Sequence, residues 1–167
     1  MTSGLVVRPA RTADMRAIRA LVSPLAERRI LLQKEAVAYY ESTGDFVVAE
    51  IDGELVGCGA VHVLWEDLAE IRTLAVDDSA LGRGVGSAIL KALADRGREL
   101  GVRRLFCLTF ETDFFERHGF ESIEGQAVSP EVYAELLRSY DEGVAEFLDL
   151  ERVKPNTLGN TRMLKKL

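Results

Sequence analysis

The sequence predicts one α/β domain over residues 1–167, built on a mixed, mostly antiparallel sheet with helices on its flanks. Three observations carry that expectation. Apolar runs bounded by turn residues crowd the first half of the chain, as in a β-meander. An amphipathic run of helical period then follows a strand-like run and leads into another, the pattern of a strand–helix–strand crossover. No repeat, low-complexity tract or linker interrupts the chain.

The elements follow in order. "LVVRP" (5–9) reads as a first strand. Thr12 stands where it would cap a helix, with Asp14 in the first turn; Met15, Ile18, Leu21, Val22 and Leu25 then recur at helical spacing. A second helix is expected over 34–42. "DFVVAEI" (45–51) and "ELVGCGAVHVLW" (54–65) are strands joined by Asp52-Gly53, a dipeptide that favours a tight hairpin turn. "AEIRTLAV" (69–76) completes a three-strand meander. Val85, Ala88, Ile89, Ala92, Leu93 and Leu100 mark one face of the next helix, which Gly101 ends. "RRLFCLTF" (103–110) is a strand and "DFFERHGF" (113–120) a short helix. Ser129 and Pro130 open a further helix with an apolar stripe of Val132, Tyr133, Leu136, Leu137 and Tyr140. "TRMLKKL" (161–167) is a last strand.

Composition narrows the function classes. At 47% hydrophobic and 29% charged residues the chain is an ordinary globular mix, long enough to bury about two-thirds of its unfolded surface without staples. A net charge of −6 argues against coating nucleic acid, which needs many Lys and Arg on phosphates, yet leaves room for one small anionic ligand. Cys58 and Cys107 sit in apolar, strand-like runs and read as buried free thiols, which suits a reducing cytoplasm. No export signal stands at the N-terminus and no apolar run approaches the ~20 residues that cross a bilayer. No membrane partner is expected.

"DDSALGRGVGSAIL" (77–90), between a strand and a helix, is the segment most suggestive of chemistry. It lacks the Lys of a nucleotide P-loop, and Ser87 or Ile89 stands where a dinucleotide fingerprint needs its third glycine. What remains is a helix N-terminus whose bare amides, with Gly82, Gly84 and Gly86, let a pyrophosphate approach, or a strand-to-helix turn with no ligand. Arg83 would add a charge-assisted contact in the first case.

Taken together, "LAVDDSALGRGVGSAIL" after a hairpin, then "RRLFCLTF" and "FFERHGF", resembles the GNAT-type N-acetyltransferases over most of the chain, from Val6 to about Ile123. The resemblance implies that acetyl-CoA is the cofactor, with no metal. Its pyrophosphate would rest on the amides of Gly82, Arg83, Gly84, Val85, Gly86 and Ser87, and its pantetheine arm beside Leu74, Ala75 and Val76. Leu81 stands where the family usually has Arg or Gln. Phe114 and Phe115 would pack against the cofactor, and Phe115 replaces the tyrosine that many relatives use to protonate the leaving thiolate. Within the family, "SPLAERRILLQKEAV", "GELVGCGAVHV", "EIRTLAV", "LFCLTFETDFFERHGF" and "GNTRML" resemble the acetyltransferase domain of the amino-acid N-acetyltransferases, the N-acetylglutamate synthases, in the short, stand-alone form found in bacteria. That implies an L-glutamate or L-glutamine acceptor, the first step of arginine biosynthesis, and a homodimer.

Carried onto this chain, the substrate contacts fall on Leu32, Lys34, Arg72, Thr73, Asn160 and Thr161. Lys34 stands where the long enzymes have an arginine; Gly159 stands where they have another, which removes one possible carboxylate clamp. An α-carboxylate needs a Lys or Arg partner, although Lys34 and Arg162 also read as solvated charges and Arg72 as a partner for Glu70. The α-amine must lose a proton before it attacks the thioester. Glu70, which opens the strand beside the thioester, is the first candidate base, and His62 the second. The family places the oxyanion donor on the Leu74–Val76 backbone. Two other readings remain: acetylation of a polyamine, drug or peptide amine, with Glu66, Asp67, Asp113 and Glu116 as an acidic pocket, and a non-catalytic module that binds coenzyme A or senses arginine. The role of 125–158 has no reading.

Overall fold

Seven strands form one sheet in the order β1-β2-β3-β4-β5-β7-β6. The structure is a computed structural model and describes residues 4–27, 35–150, 153, 157 and 159–167. β1 (Leu5–Pro9), β2 (Phe46–Ile51), β3 (Glu54–Trp65) and β4 (Leu68–Val76) are antiparallel neighbours. The turn between β2 and β3 puts both Asp52 (φ 51°) and Gly53 (φ 83°) in the left-handed region, the geometry whose twist matches the flanking strands. α3 (Val85–Leu100) then crosses over, and β5 (Arg104–Thr109) lies parallel to β4. β7 (Thr161–Lys166) returns antiparallel to β5 and carries the two-residue β6 (Glu121–Ser122) on its far side.

The helix over 34–42 is observed as α2 (Ala36–Glu41), after α1 (Met15–Glu27). α4 (Thr112–Arg117), α5 (Pro130–Leu136) and α6 (Glu142–Phe147) follow β5. Three local expectations are corrected. Thr12 is not the cap of α1: it begins a 3-10 turn, and the Asp14 carboxylate accepts from the Arg11 N–H at 2.7 Å while held by Arg8. Leu100 is exposed, because the face of α3 that meets the sheet is Val85, Ile89, Leu90, Leu93, Ala94 and Gly97. The stripe of α5 stops at buried Leu136; Leu137 and Tyr140 are exposed, since the chain leaves the helix and re-enters one at Asp141, whose carboxylate caps α6 through Val144 N–H.

Strand alternation divides the molecule. One face of the sheet (Ala49, Val61, Ala69, Ile71, Leu105, Met163) packs against α3, with Phe115 and Phe120 beside it. The other face carries two apolar clusters. Cys58, Ala60, Phe46 and Val48 pack under Met15, Ile18, Val22 and Tyr39 of α1 and α2. Leu64, Leu68 and Phe106 pack under Leu136, Val144 and Phe147 of α5 and α6. Leu68, Glu70 and Arg72 alternate along one face of β4, and His62 stands opposite Glu70 on β3. This face therefore also holds the polar residues singled out for catalysis.

Candidate functional site

Strand pairing between β4 and β5 stops early. The parallel register covers only Leu68–Arg104, Ala69–Leu105 and Glu70–Phe106; beyond Glu70 the β5-facing edge of β4 has no strand partner among the described residues. Buried backbone donors and acceptors need partners, so an edge opened inside a domain is suited to an extended ligand. A bulge helps open it. Cys58 pairs with Ala75 and Ala60 with Arg72, so β4 carries one residue more than β3 across this stretch. Thr73 lies inside it at φ 54°, and its carbonyl accepts from Cys58 Sγ at 3.4 Å.

The opening is a cleft of about 750 Å³ that reaches both faces of the sheet. Leu74, Ala75 and Val76 form one wall, and Leu108, Thr109 and Phe110 the other. Its far end is the glycine loop. A turn over Asp78–Ala80, capped by Asp77 through Ser79 N–H at 2.9 Å, leads to Gly84, the N-cap of α3 at φ 79°. An L-residue is strained there, so the sequence Gly-Val-Gly-Ser turns sharply into the helix with no cap side chain over its first amides. Gly82, Gly84, Val85, Gly86 and Ser87 all line the cleft; Arg83 lies within the loop between them. A Cβ on Gly86 would stand 3.4 Å from Phe114, so the loop and α4 close together around the opening.

Phe114 and Phe115 both line the cleft, edge to face at 5.2 Å. Phe115 is buried against Phe120, while Phe114 faces His118, 4.6 Å between ring centres. The residues suit a long ligand with a polar, strand-like arm and an anionic group: unpaired strand edge, apolar walls, and helix amides carrying a partial positive charge.

Glu70 is buried, 4% exposed, and its Oε1 accepts from Arg72 Nε at 2.7 Å. Arg72 Nη2 lies 2.8 Å from Asp141 Oδ1, an ion pair without hydrogen-bond alignment. Burial acts to lower the Arg72 pKa, but the charges of Glu70 and Asp141 outweigh it and push it up. The reverse holds for Asp141: burial acts to raise its carboxyl, and Arg72 pulls it below its ordinary value. His62 Nδ1 lies 2.6 Å from Asp45 Oδ2, so the second candidate base is also paired.

Asn160 and Thr161 sit at the start of β7, with Thr161 opposite Thr109 at the cleft wall; Asn160 Oδ1 is buried without a hydrogen-bond partner among the described residues. Leu32 and Lys34 lie outside the described residues. Arg162 is not the solvated charge that its sequence neighbourhood suggested. Its guanidinium lies 4.9 Å from the Phe106 ring centre and 5.8 Å from that of Phe147, and its buried Nη2 has no hydrogen-bond partner among the described residues. Burial pushes its pKa down, against the charges of Asp149 and Glu70. Sequence reasoning also missed Asp141, Leu108 and Arg117. No local signal marks them, because β5–β7 register, the docking of α6 and the end of α4 bring Leu108, Asp141 and Arg117 to the site.

The acidic pocket of the polyamine reading does not form. Asp67 pairs with Arg104 at the start of β5, whereas Asp113 and Glu116 lie on α4, beyond its other end. Among the described residues no group of three His, Cys, Asp or Glu could hold a metal, no helix is long and apolar enough to cross a membrane, and Cys58 and Cys107 are free and buried.

A bulged strand splayed from its parallel neighbour, ending on a glycine turn at a helix N-terminus, defines the class: the chain belongs to the Acetyltransferase (GNAT) family, whose model matches residues 15–120. Particular relatives follow. The chain is 57% identical over 162 residues to the amino-acid acetyltransferase of Mycobacterium tuberculosis, covering 95% of this chain and 92% of that protein. The crystal structure of Rv2747 from Mycobacterium tuberculosis, in complex with CoA and NLQ, superposes with a TM-score of 0.94 at 56% identity, over 97% of this chain and 99% of that one. N-acetylglutamate synthase from Neisseria gonorrhoeae, complexed with coenzyme A and N-acetyl-glutamate, gives a TM-score of 0.79 at 25% identity, over the whole of this chain and 36% of that longer one.

Proposed function

We propose that the protein is an acetyl-CoA-dependent amino-acid N-acetyltransferase that acetylates the α-amine of L-glutamate or L-glutamine, in the cytoplasm and as a homodimer, at the first step of arginine biosynthesis. The observation that carries the reading is the β4 edge that runs on from Leu74, beyond the Thr73 bulge, to the N-terminus of α3 with no strand partner on the β5 side among the described residues. The relatives' names and bound molecules support the same acceptor class.

When bound, acetyl-CoA supplies an electrophilic thioester. The amides of the loop from Gly82 to Ser87 hold its pyrophosphate, and Leu74, Ala75 and Val76 offer backbone groups to the pantetheine arm. An N–H of that strand stabilises the charge that develops on the acetyl oxygen. Glu70 takes the proton from the α-amine through water, with Arg72 holding its carboxylate in place. Phe115 has no proton to give, so the thiolate leaves unprotonated or takes a proton from water. Lys34, Thr73, Asn160 and Thr161 orient the amino acid. Arg72 is already engaged by two carboxylates, and Arg162 is a cation on this face whose Nη2 has no hydrogen-bond partner among the described residues and can meet the substrate carboxylate.

The test is release of free coenzyme A thiol from acetyl-CoA across a panel of amino acids, polyamines and aminoglycosides. Turnover with glutamate or glutamine is expected. Turnover with a polyamine alone would sink the acceptor assignment, and tight acetyl-CoA binding with no acceptor at all would favour a sensor.

A further inference from the structure

An α-ammonium that becomes an amide gives up two protons, one before it attacks the thioester and one as the amide forms. A carboxylate holds one proton at a time, so a base at Glu70 must unload within every turnover. Glu70 is poorly placed to unload into solvent by itself. It is 4% exposed, bound by Arg72 and closed over by α6.

An outlet stands across from it. His62 of β3 is the antiparallel partner of Glu70, so the two side chains rise from the same face with Cβ atoms about 5 Å apart. The His62 side chain is 29% exposed and that of Asp45 30%, so this pair reaches solvent where Glu70 does not. The ring is also oriented. Asp45 Oδ2, in a carboxylate that can only accept, takes the Nδ1–H at 2.6 Å. The neutral ring then keeps its lone pair on Nε2, which has no hydrogen-bond partner among the described residues. The charged groups around the imidazole are Asp45 just before β2, Glu70 and Arg72 on β4, and Asp141 at the N-cap of α6, on whose carboxylate the charges of Arg72 and then His62 both act.

We propose that His62 is the outlet for the protons that Glu70 takes from the substrate amine, and that Asp45 is the residue that positions it. The proposal rests on the reading of Glu70 as the base. An amine N–H bond breaks, its proton passes through water to the Glu70 carboxylate, and the freed electron pair attacks the thioester carbonyl. The C–S bond breaks and the sulfur leaves with its electron pair. Protonated Glu70 gives its proton through water to His62 Nε2, and the imidazolium releases it to solvent. Glu70 returns to the carboxylate and His62 to the neutral ring, and the second proton follows the same route.

The experiment measures kcat and both KM values by thiol release for the intact protein, His62→Ala, Asp45→Ala, the double variant and Glu70→Gln, each with and without added imidazole. Circular dichroism reports that each is folded, and His62→Gln replaces His62→Ala if the latter does not fold. His62→Ala should lower kcat about tenfold or more and leave both KM values unchanged. Added imidazole should restore activity to it, which it would not do for a lost structural contact. Asp45→Ala should lower kcat less, and should add nothing to His62→Ala in the double variant, because it acts through the ring. Full kcat in His62→Ala, or a loss that imidazole does not relieve, overturns the proposal and leaves Glu70 as the base. Additive losses in the double variant overturn the role of Asp45. A slow His62→Ala beside a fully active Glu70→Gln makes His62 itself the base and overturns both assignments. Absence of thiol release by the intact protein with every acceptor overturns the acetyltransferase reading itself.

Discussion

Arg72 is gripped from both sides: its Nε donates to Glu70 at 2.7 Å from the same strand, and its Nη2 lies 2.8 Å from Asp141, carried in by α6. The three charges lie between the two apolar clusters on the face of the sheet that α1, α5 and α6 cover. Gly143 packs so closely on the guanidinium that a side chain there would have to displace it. α6, in a stretch whose role the sequence left unread, therefore closes this face, with the second acid at its N-cap. Removing one member of a buried ion network leaves the others uncompensated. Arg72→Ala should cost about 3 kcal/mol in urea denaturation, and a loss under about 0.5 kcal/mol would mean the network adds nothing to the fold.

Glu70→Gln keeps the size and removes the carboxylate proposed as the base. With its carboxylate oriented by Arg72, the variant should drop kcat about a hundredfold and leave the KM for acetyl-CoA unchanged. An unaltered kcat would move the role of base to His62, whose Nδ1 contact with Asp45 leaves Nε2 open to accept a proton.

The Asp141 carboxyl also sets a pH dependence. Its pKa is lowered in the folded protein from an ordinary value of 3.8, with Arg72 outweighing burial. A depressed folded pKa means that stabilisation is complete above the unfolded pKa and is lost as pH falls through the folded one. Thermal melts should therefore lose Tm below about pH 4, and Asp141→Asn should flatten part of that slope. Asp14, lowered first by its hydrogen bond to Arg8, contributes independently, so some slope should persist in the variant. A variant profile identical to that of the parent would remove Asp141 from the account.

The loop makes a sharper contrast. Gly84 sits at φ 79°, where an L-residue is strained by about 1–2 kcal/mol, and the α3 amides line the cleft. Gly84→Val should weaken acetyl-CoA binding more than Arg83→Ala, because the cradle proposed for the pyrophosphate is made of amides rather than of one side chain. Gly86→Leu should do the same by filling the space before Phe114. Calorimetry that ranked Arg83→Ala as the most damaging would reverse this picture.

Much of the frame was legible because it is local. Apolar runs and the Asp52-Gly53 turn announced the meander, and the apolar face of Val85, Ile89 and Leu93 announced the crossover helix. The glycine loop was legible for the same reason: its neighbours in sequence are its neighbours in space. The opposite face, with Glu70 and Arg72, was less so. Arg72 with Glu70 is an i, i+2 pair on one strand face and could be anticipated, but Asp141 reaches them from α6, across a long separation in sequence. The bulge at Thr73 leaves no residue-type signature, since threonine is not a residue that favours positive φ.

Arg162 shows the same limit and yields the last prediction. On β7 it stands opposite Leu108, so its environment is set by strand register and by Phe147 of α6. Its guanidinium rests on two aromatic rings, and its Nη2 is buried without a hydrogen-bond partner among the described residues. A cation in that state gains most from an incoming carboxylate, because the contact restores what burial removed. Arg162→Ala should raise the KM for the amino acid about 10–100-fold, the scale of hydrogen bonds to a charged group, with little change in the KM for acetyl-CoA. Arg162→Lys should recover only part of it, since a single ammonium cannot reproduce the planar fork that stacks on Phe106. Equal rises in both KM values would instead trace the effect to lost packing of Phe106 and Phe147.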